Sequence, residues 1–121
     1  MSDNSTTVSN VKVAHIRPEY NDLNEWMRDS NNVYIGRRGI VFINGTRFPL
    51  MDSVWCNPYK IEKHGDRDEV LALYKEYILD KINNDDVALE LLLFLRGKNL
   101  GCWCAPEPCH GNILKDIIEM Y

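Results

Sequence analysis

Leu100-Gly101-Cys102-Trp103-Cys104-Ala105-Pro106-Glu107-Pro108-Cys109-His110-Gly111 is the stretch on which the fold turns. Leu100 to Cys104 reads as a short strand, Ala105 to Pro108 as a turn stiffened by its prolines, and Cys109 to Met120 as a helix. Side chains alternate along a strand, so Cys102 and Cys104 share one face and Trp103 takes the other. Cys109 and His110 fall in the first helical turn, where backbone N–H groups lack partners and the dipole favours negative charge. A thiol there is expected to have a lowered pKa.

Upstream of this unit, Val87 to Arg96 reads as a helix apolar nearly all round, hence expected to be buried, closing at Gly97. Asn83 to Asp86 is a break. Before it, Asp66 followed by Glu69 forms a capping pattern, and Val70, Leu73, Tyr74, Tyr77 and Ile78 recur at helical spacing. Met51 to Gly65 is irregular, with Asn57-Pro58 and His64-Gly65 as breakers. From Gly39 to Pro49 a hairpin is expected: Ile40 to Ile43, the turn Asn44-Gly45, then Thr46 to Phe48.

Val33 to Ile35 reads as a second strand stopping at Gly36, and Glu19 to Asp29 as a short amphipathic helix through Tyr20, Leu23, Trp26 and Met27. Val11 to Ile16 reads as a first strand ended by Arg17-Pro18. On it His15 alternates with Val11 and Val13, as a core histidine would. Residues 1–10, rich in Ser, Thr and Asn, read as a disordered tail. Strands alternating with helices point to one α/β domain over residues 11–121. Its expected form is three-layer and Rossmann-like, a mainly parallel sheet with the hairpin added at one side.

With 45% hydrophobic residues among 121, the chain can build a core without metal or disulfide staples. A formal charge of −4 argues against non-specific nucleic-acid or anionic-membrane binding, which draws on a Lys/Arg surplus; a local basic patch is compatible with it. The longest apolar run, Leu91 to Leu95, is far shorter than the ~20 residues a membrane span needs. The polar N-terminus lacks the apolar stretch of a signal peptide, so a cytoplasmic location is expected (the host-cell interior for a viral protein). Cysteines there are expected to be reduced or metal-bound.

Five segments occur in a recognisable order: Val33-Tyr34-Ile35-Gly36-Arg37, Ser53-Val54-Trp55-Cys56-Asn57-Pro58-Tyr59, the Arg67 to Tyr77 helix, Leu100-Gly101-Cys102-Trp103-Cys104, and Pro108-Cys109-His110-Gly111. In this the chain resembles domain-of-unknown-function family 4326, found in phages, bacteria and large DNA viruses, over roughly Val33 to Ile118. The closing Cys-Trp-Cys and Pro-Cys-His-Gly motifs are the specific part. The family usually has Gly where Cys56 stands, so no role carries onto Cys56, and the Gly39 to Pro49 hairpin looks like added material. The resemblance brings no chemistry with it.

Three chemistries fit the Cys/His turn. Cys102, Cys104, Cys109 and His110 supply three thiolates and an imidazole, a donor set suited to tetrahedral zinc, although adjacent Cys-His ligands are awkward to aim at one ion. Buried core thiols are the bland alternative. As an enzyme, the turn would use Cys109 or His110 for nucleophilic or acid–base work. A phosphatase loop of Cys, five residues and Arg is not met, because Lys115 holds the last position. A nucleotide-like ligand fits better: Arg37, Asn57 and Gly111 all follow strand ends or open the last helix, where a parallel sheet builds its ligand crevice. Arg37 and Arg38 in a solvated loop, and Asn57 as a turn residue, are the plainer readings. A non-catalytic interaction module stabilised by the zinc site, presenting Trp55, Tyr59 and Trp103, is the third.

Overall fold

The computed structural model describes residues 5–103 and 109–121. In chain order the elements are β1 (Thr7–Asn10), α1 (Val13–Ile16), α2 (Leu23–Arg28), β2 (Asn32–Tyr34), β3 (Val41–Ile43), β4 (Thr46–Phe48), α3 (Arg67–Asn84), α4 (Asp86–Phe94), β5 (Asn99–Cys102) and α5 (His110–Met120). β5 is central in a sheet of order β1-β5-β2, parallel to both neighbours, with Thr7 opposite Asn99 and Val33 opposite Leu100. β3 and β4 form a separate antiparallel sheet. The chain is therefore a mixed α/β protein with two small sheets.

Alternation along the short strands divides the core. Leu100 and Cys102 face one apolar cluster with Ile35, Tyr74, Ile78 and Leu92, completed by Leu114, Ile117 and Ile118 of α5. Tyr34 belongs to a second cluster with Val11, Ile16, Leu23 and Trp26. Gly101 is what lets the second cluster close: a Cβ there would lie 2.3 Å from Trp26 Cη2 and 2.6 Å from Val11 Cγ1.

Local chemistry places most element ends as expected. Asp66 and Glu69 cap α3 reciprocally, and α3 buries Val70, Tyr74, Ile78 and Ile82 along one i, i+4 stripe. Asp85 ends α3 and caps α4, its carboxylate accepting from the N–H groups of Val87 and Ala88. In the hairpin, Asn44 and Gly45 both have positive φ, 52° and 79°, the geometry of a tight two-residue turn.

Four expectations are corrected. The first strand is Thr7–Asn10, which composition had assigned to a disordered tail. Thr7 and Ser9 donate side-chain hydrogen bonds to Asn99 Oδ1, and Thr7 N–H bonds Lys98 O. Pairing with β5 outweighs weak intrinsic propensity. Val11 to Ile16, expected as that strand, leaves the sheet after Val11 and makes one helical turn. His15 therefore turns outward and is exposed rather than a core histidine. On α4 only Ala88 and Leu92 are buried, while Val87, Leu91 and Phe94 are exposed, because the helix meets the core with one side. The Cys104 to Pro108 turn lies outside the described residues. Among the described residues, no helix is long and apolar enough to cross a membrane.

Candidate functional site: a basic crevice at the strand ends

Parallel strands all present their C-terminal ends on one side, and here that side opens into a cavity of about 610 Å³. Lys12 follows β1, Gly36 and Arg37 follow β2, and Trp103 follows β5; all four line it. Cys109 and His110 enter from the start of α5, and Arg67, Val70 and Leu71 from α3. The irregular segment adds Asn57, Tyr59, Lys60 and Ile61, and Ile40 comes from the base of the hairpin. Among the described residues, four of the lining side chains are cationic (Lys12, Arg37, Lys60, Arg67) and none is a carboxylate. In a chain of net charge −4, that is a marked local segregation of positive charge.

The walls are held by specific bonds. Arg37 Nη2 donates to the carbonyl oxygens of Asn57 (2.8 Å) and Tyr59 (3.3 Å), drawing the irregular segment onto the end of β2. Tyr34 Oη donates to Arg37 O at 2.7 Å and accepts from Trp103 Nε1 at 2.9 Å, which fixes the indole. Asn57 Oδ1 accepts from Tyr59 N–H at 2.9 Å, so its side chain shapes the turn, as the plainer reading held. Arg38 does not line the cavity, and its backbone N–H bonds Asp52.

His110 Nε2 lies 2.6 Å from Ile35 O. A carbonyl only accepts, so Nε2 carries the proton and Nδ1 is left as the basic nitrogen of a neutral ring. Burial holds the imidazole below its usual pKa, outweighing the Ile35 carbonyl, which pulls the other way; the Arg37 charge also lowers it. Tyr74 packs edge-on at 5.1 Å between ring centroids.

Cys109 departs from expectation. Its sulfur stands 3.1 Å from that of Cys102. This contact, followed by burial, pushes its thiol pKa far up, although the N–H groups of Gly111 and Asn112 point at the sulfur and act to lower it. The helix start is there, but its donors cannot offset desolvation beside a second thiol. Cys109 is thus a neutral thiol at rest, and any attack by its sulfur must begin with loss of that proton. Gly111, expected to help hold a ligand, does not line the cavity. It is buried where a Cβ would meet Val8 and Ile35 at 2.9 and 3.0 Å, so it serves packing of α5 on the sheet.

Of the zinc set, Cys104 lies outside the described residues, and Nε2 of His110 is committed to Ile35. Among the described residues no group of three His, Cys, Asp or Glu side chains could hold a metal. Cys56 is half-buried, its thiol pushed up first by burial, and it does not line the cavity. Sequence reasoning missed Lys12, Lys60 and Arg67. For Arg67 the available signal was a cation at the opening of a capped helix. Lys12 fell inside the expected strand over Val11 to Ile16, and Lys60 lies in the irregular segment, where no local pattern marks it.

Fold and crevice together define a small α/β protein with a basic cleft at the carboxyl ends of a parallel sheet. The chain belongs to the family described as "Domain of unknown function (DUF4326)", whose model matches residues 19–120. It is also 36% identical over 67 residues to the "Uncharacterized 12.4 kDa protein in nrdA-td intergenic region" of Enterobacteria phage T4, a match covering 55% of this chain and 61% of the relative. No solved structure matches.

Proposed function

We propose that the crevice binds a nucleotide or nucleotide-derived ligand through its phosphate, with His110 as the group available for acid–base work. The single observation that carries this is the meeting of four cations, with no carboxylate among the described lining residues, on one cavity at the ends of three parallel strands. The sheet with apolar clusters on both faces is read as a reduced three-layer, Rossmann-like plan, in which ligands bind at this edge. The cavity's size suits a small molecule, and Trp103 and Tyr59 offer ring faces or edges to a base beside the cations. Arg37, held by two carbonyls, is pre-oriented for an anion. Lys12 and Lys60 have exposed side chains and supply mobile charge. In this reading Cys109 serves as wall and takes no part in chemistry on the ligand.

Calorimetric titration with nucleoside mono-, di- and triphosphates, the matching nucleosides and inorganic phosphate tests the reading. Phosphorylated ligands should bind and unphosphorylated ones bind more weakly. Lys60→Ala, which removes one exposed cation and no internal bond, should weaken binding by about tenfold, the value of one charge-assisted contact. If no phosphorylated ligand binds, or Lys60→Ala and Lys12→Ala both bind as the parent does, the reading fails. Stoichiometric zinc on the native protein, lost in Cys104→Ser together with the fold, would favour the interaction module instead.

A further inference from the structure

The crevice leaves one pair of reactive groups unused. Cys102 ends β5 and Cys109 caps α5, and their sulfurs stand 3.1 Å apart. A disulfide needs about 2.0 Å, so only a small closing movement separates this contact from a covalent bond. Both side chains are buried, and neither takes part in a disulfide.

We propose that Cys102 and Cys109 form a redox-active dithiol site, converted reversibly to a disulfide by exchange with a low-molecular-weight disulfide such as oxidised glutathione. The inference stands apart from the ligand reading. Two separate elements hold the sulfurs. Cys102 is in register opposite Asn10 at the end of the parallel sheet, and Cys109 N–H donates to Asn112 Oδ1 in the first turn of α5. The entropy of bringing the pair together is therefore met by the fold, which raises their effective concentration toward one another. Access is ordered as well. Cys109 is 3% exposed and borders the crevice, so a small reagent meets it from that side on local opening of the wall, whereas Cys102 is 1% exposed and is not among the lining residues.

The exchange proceeds in two displacements. Cys109 gives up its proton and its sulfur attacks one sulfur of the small disulfide. That S–S bond breaks, the first glutathione leaves and takes a proton, and a mixed disulfide remains on Cys109. Cys102 then gives up its proton and attacks the Cys109 sulfur, expelling the second glutathione as a thiol. Two protein thiols are oxidised by two electrons, and one small disulfide is reduced to two thiols. Because Cys109 forms part of the crevice wall, the bond couples the wall to redox state.

The test uses the full-length Cys104→Ser chain, equilibrated folded across a series of reduced and oxidised glutathione mixtures, alkylated in denaturant and digested with trypsin. The peptide spanning 99–115 then carries just Cys102 and Cys109. It should become lighter by two hydrogens and lose both alkyl groups. The midpoint should fall at least about tenfold toward the reducing end relative to the same chain in concentrated urea, reflecting the juxtaposition in the fold. Should Cys104→Ser fail to fold, the unsubstituted chain is used, with chymotryptic cleavage after Trp103 and fragmentation of the linked peptides to assign the bridge. Glutathione adducts alone, a bridge through Cys104, full alkylation in every mixture, or a midpoint equal to that in urea would each overturn the proposal.

Discussion

His110 Nε2 stands 2.6 Å from the carbonyl oxygen of Ile35, so the first residue of α5 is bonded to the backbone just past β2. The bond joins two walls of the crevice and selects the tautomer that leaves Nδ1 basic.

That burial has a pH consequence. The folded-state pKa of His110 lies below the usual imidazole value of 6.5, so the unfolded chain binds more protons over the interval between the two. Stability is then full above the unfolded pKa and falls as pH drops through it toward the folded pKa. Urea unfolding measured between about pH 7.5 and 5.5 should show this loss, and His110→Gln, which cannot titrate there, should flatten it. An unchanged slope in the variant would contradict the assignment.

Gly101→Ala should destabilise the protein by about 3 kcal/mol, the upper range for overpacking, since its Cβ would enter the space of Trp26 and Val11. Combining it with Trp26→Leu should cost less than the sum of the two single changes, because the shorter side chain vacates the contested volume. Strict additivity in urea melts would show that the two sites do not meet.

Tyr74 Oη donates a buried 2.6 Å hydrogen bond to Trp55 O, pinning the irregular segment onto α3. Tyr74→Phe leaves that carbonyl without this donor and should cost about 1–3 kcal/mol. The ring, and with it the packing against His110, is retained. A variant as stable as the parent would mean that water replaces the hydroxyl.

Removing residues 1–10 should abolish or severely weaken cooperative unfolding. Thr6 is buried, its hydroxyl donating to Leu95 O and accepting from Gly97 N–H, and β1 supplies one edge of the sheet. Circular dichroism melts of the truncated chain distinguish this from the behaviour of a dispensable tail, which would leave the melting temperature unchanged.

Much was legible where the signal is local. Asp66 with Glu69, Asn44-Gly45, and the stripe of Val70, Tyr74 and Ile78 act through neighbours a few residues away, and each forms the cap, turn or helix face its spacing implies. The gathering of Arg37, Cys109 and His110 on one crevice followed from the rule that parallel strands send their following loops to one edge. Asn57, beyond the antiparallel β4, is instead drawn there by the hydrogen bonds of Arg37. The family resemblance over roughly Val33 to Ile118 rested chiefly on Cys-Trp-Cys and Pro-Cys-His-Gly, which are sequence features in themselves.

Tertiary structure decided the rest. Thr7–Asn10 has no pattern of its own, and it is a strand because β5, some ninety residues later, presents a matching edge and Asn99 as a partner. Whether Val87, Leu91 and Phe94 are covered depends on which side of α4 meets the core, which periodicity cannot say when every side is apolar. Cys109 shows the same division most sharply. Its place at a helix start was readable and favours a thiolate, but the sign of its pKa shift was set by burial and by a second thiol 3.1 Å away. Desolvation and contact belong to the packed molecule, and neither is encoded in the spacing of residues along the chain.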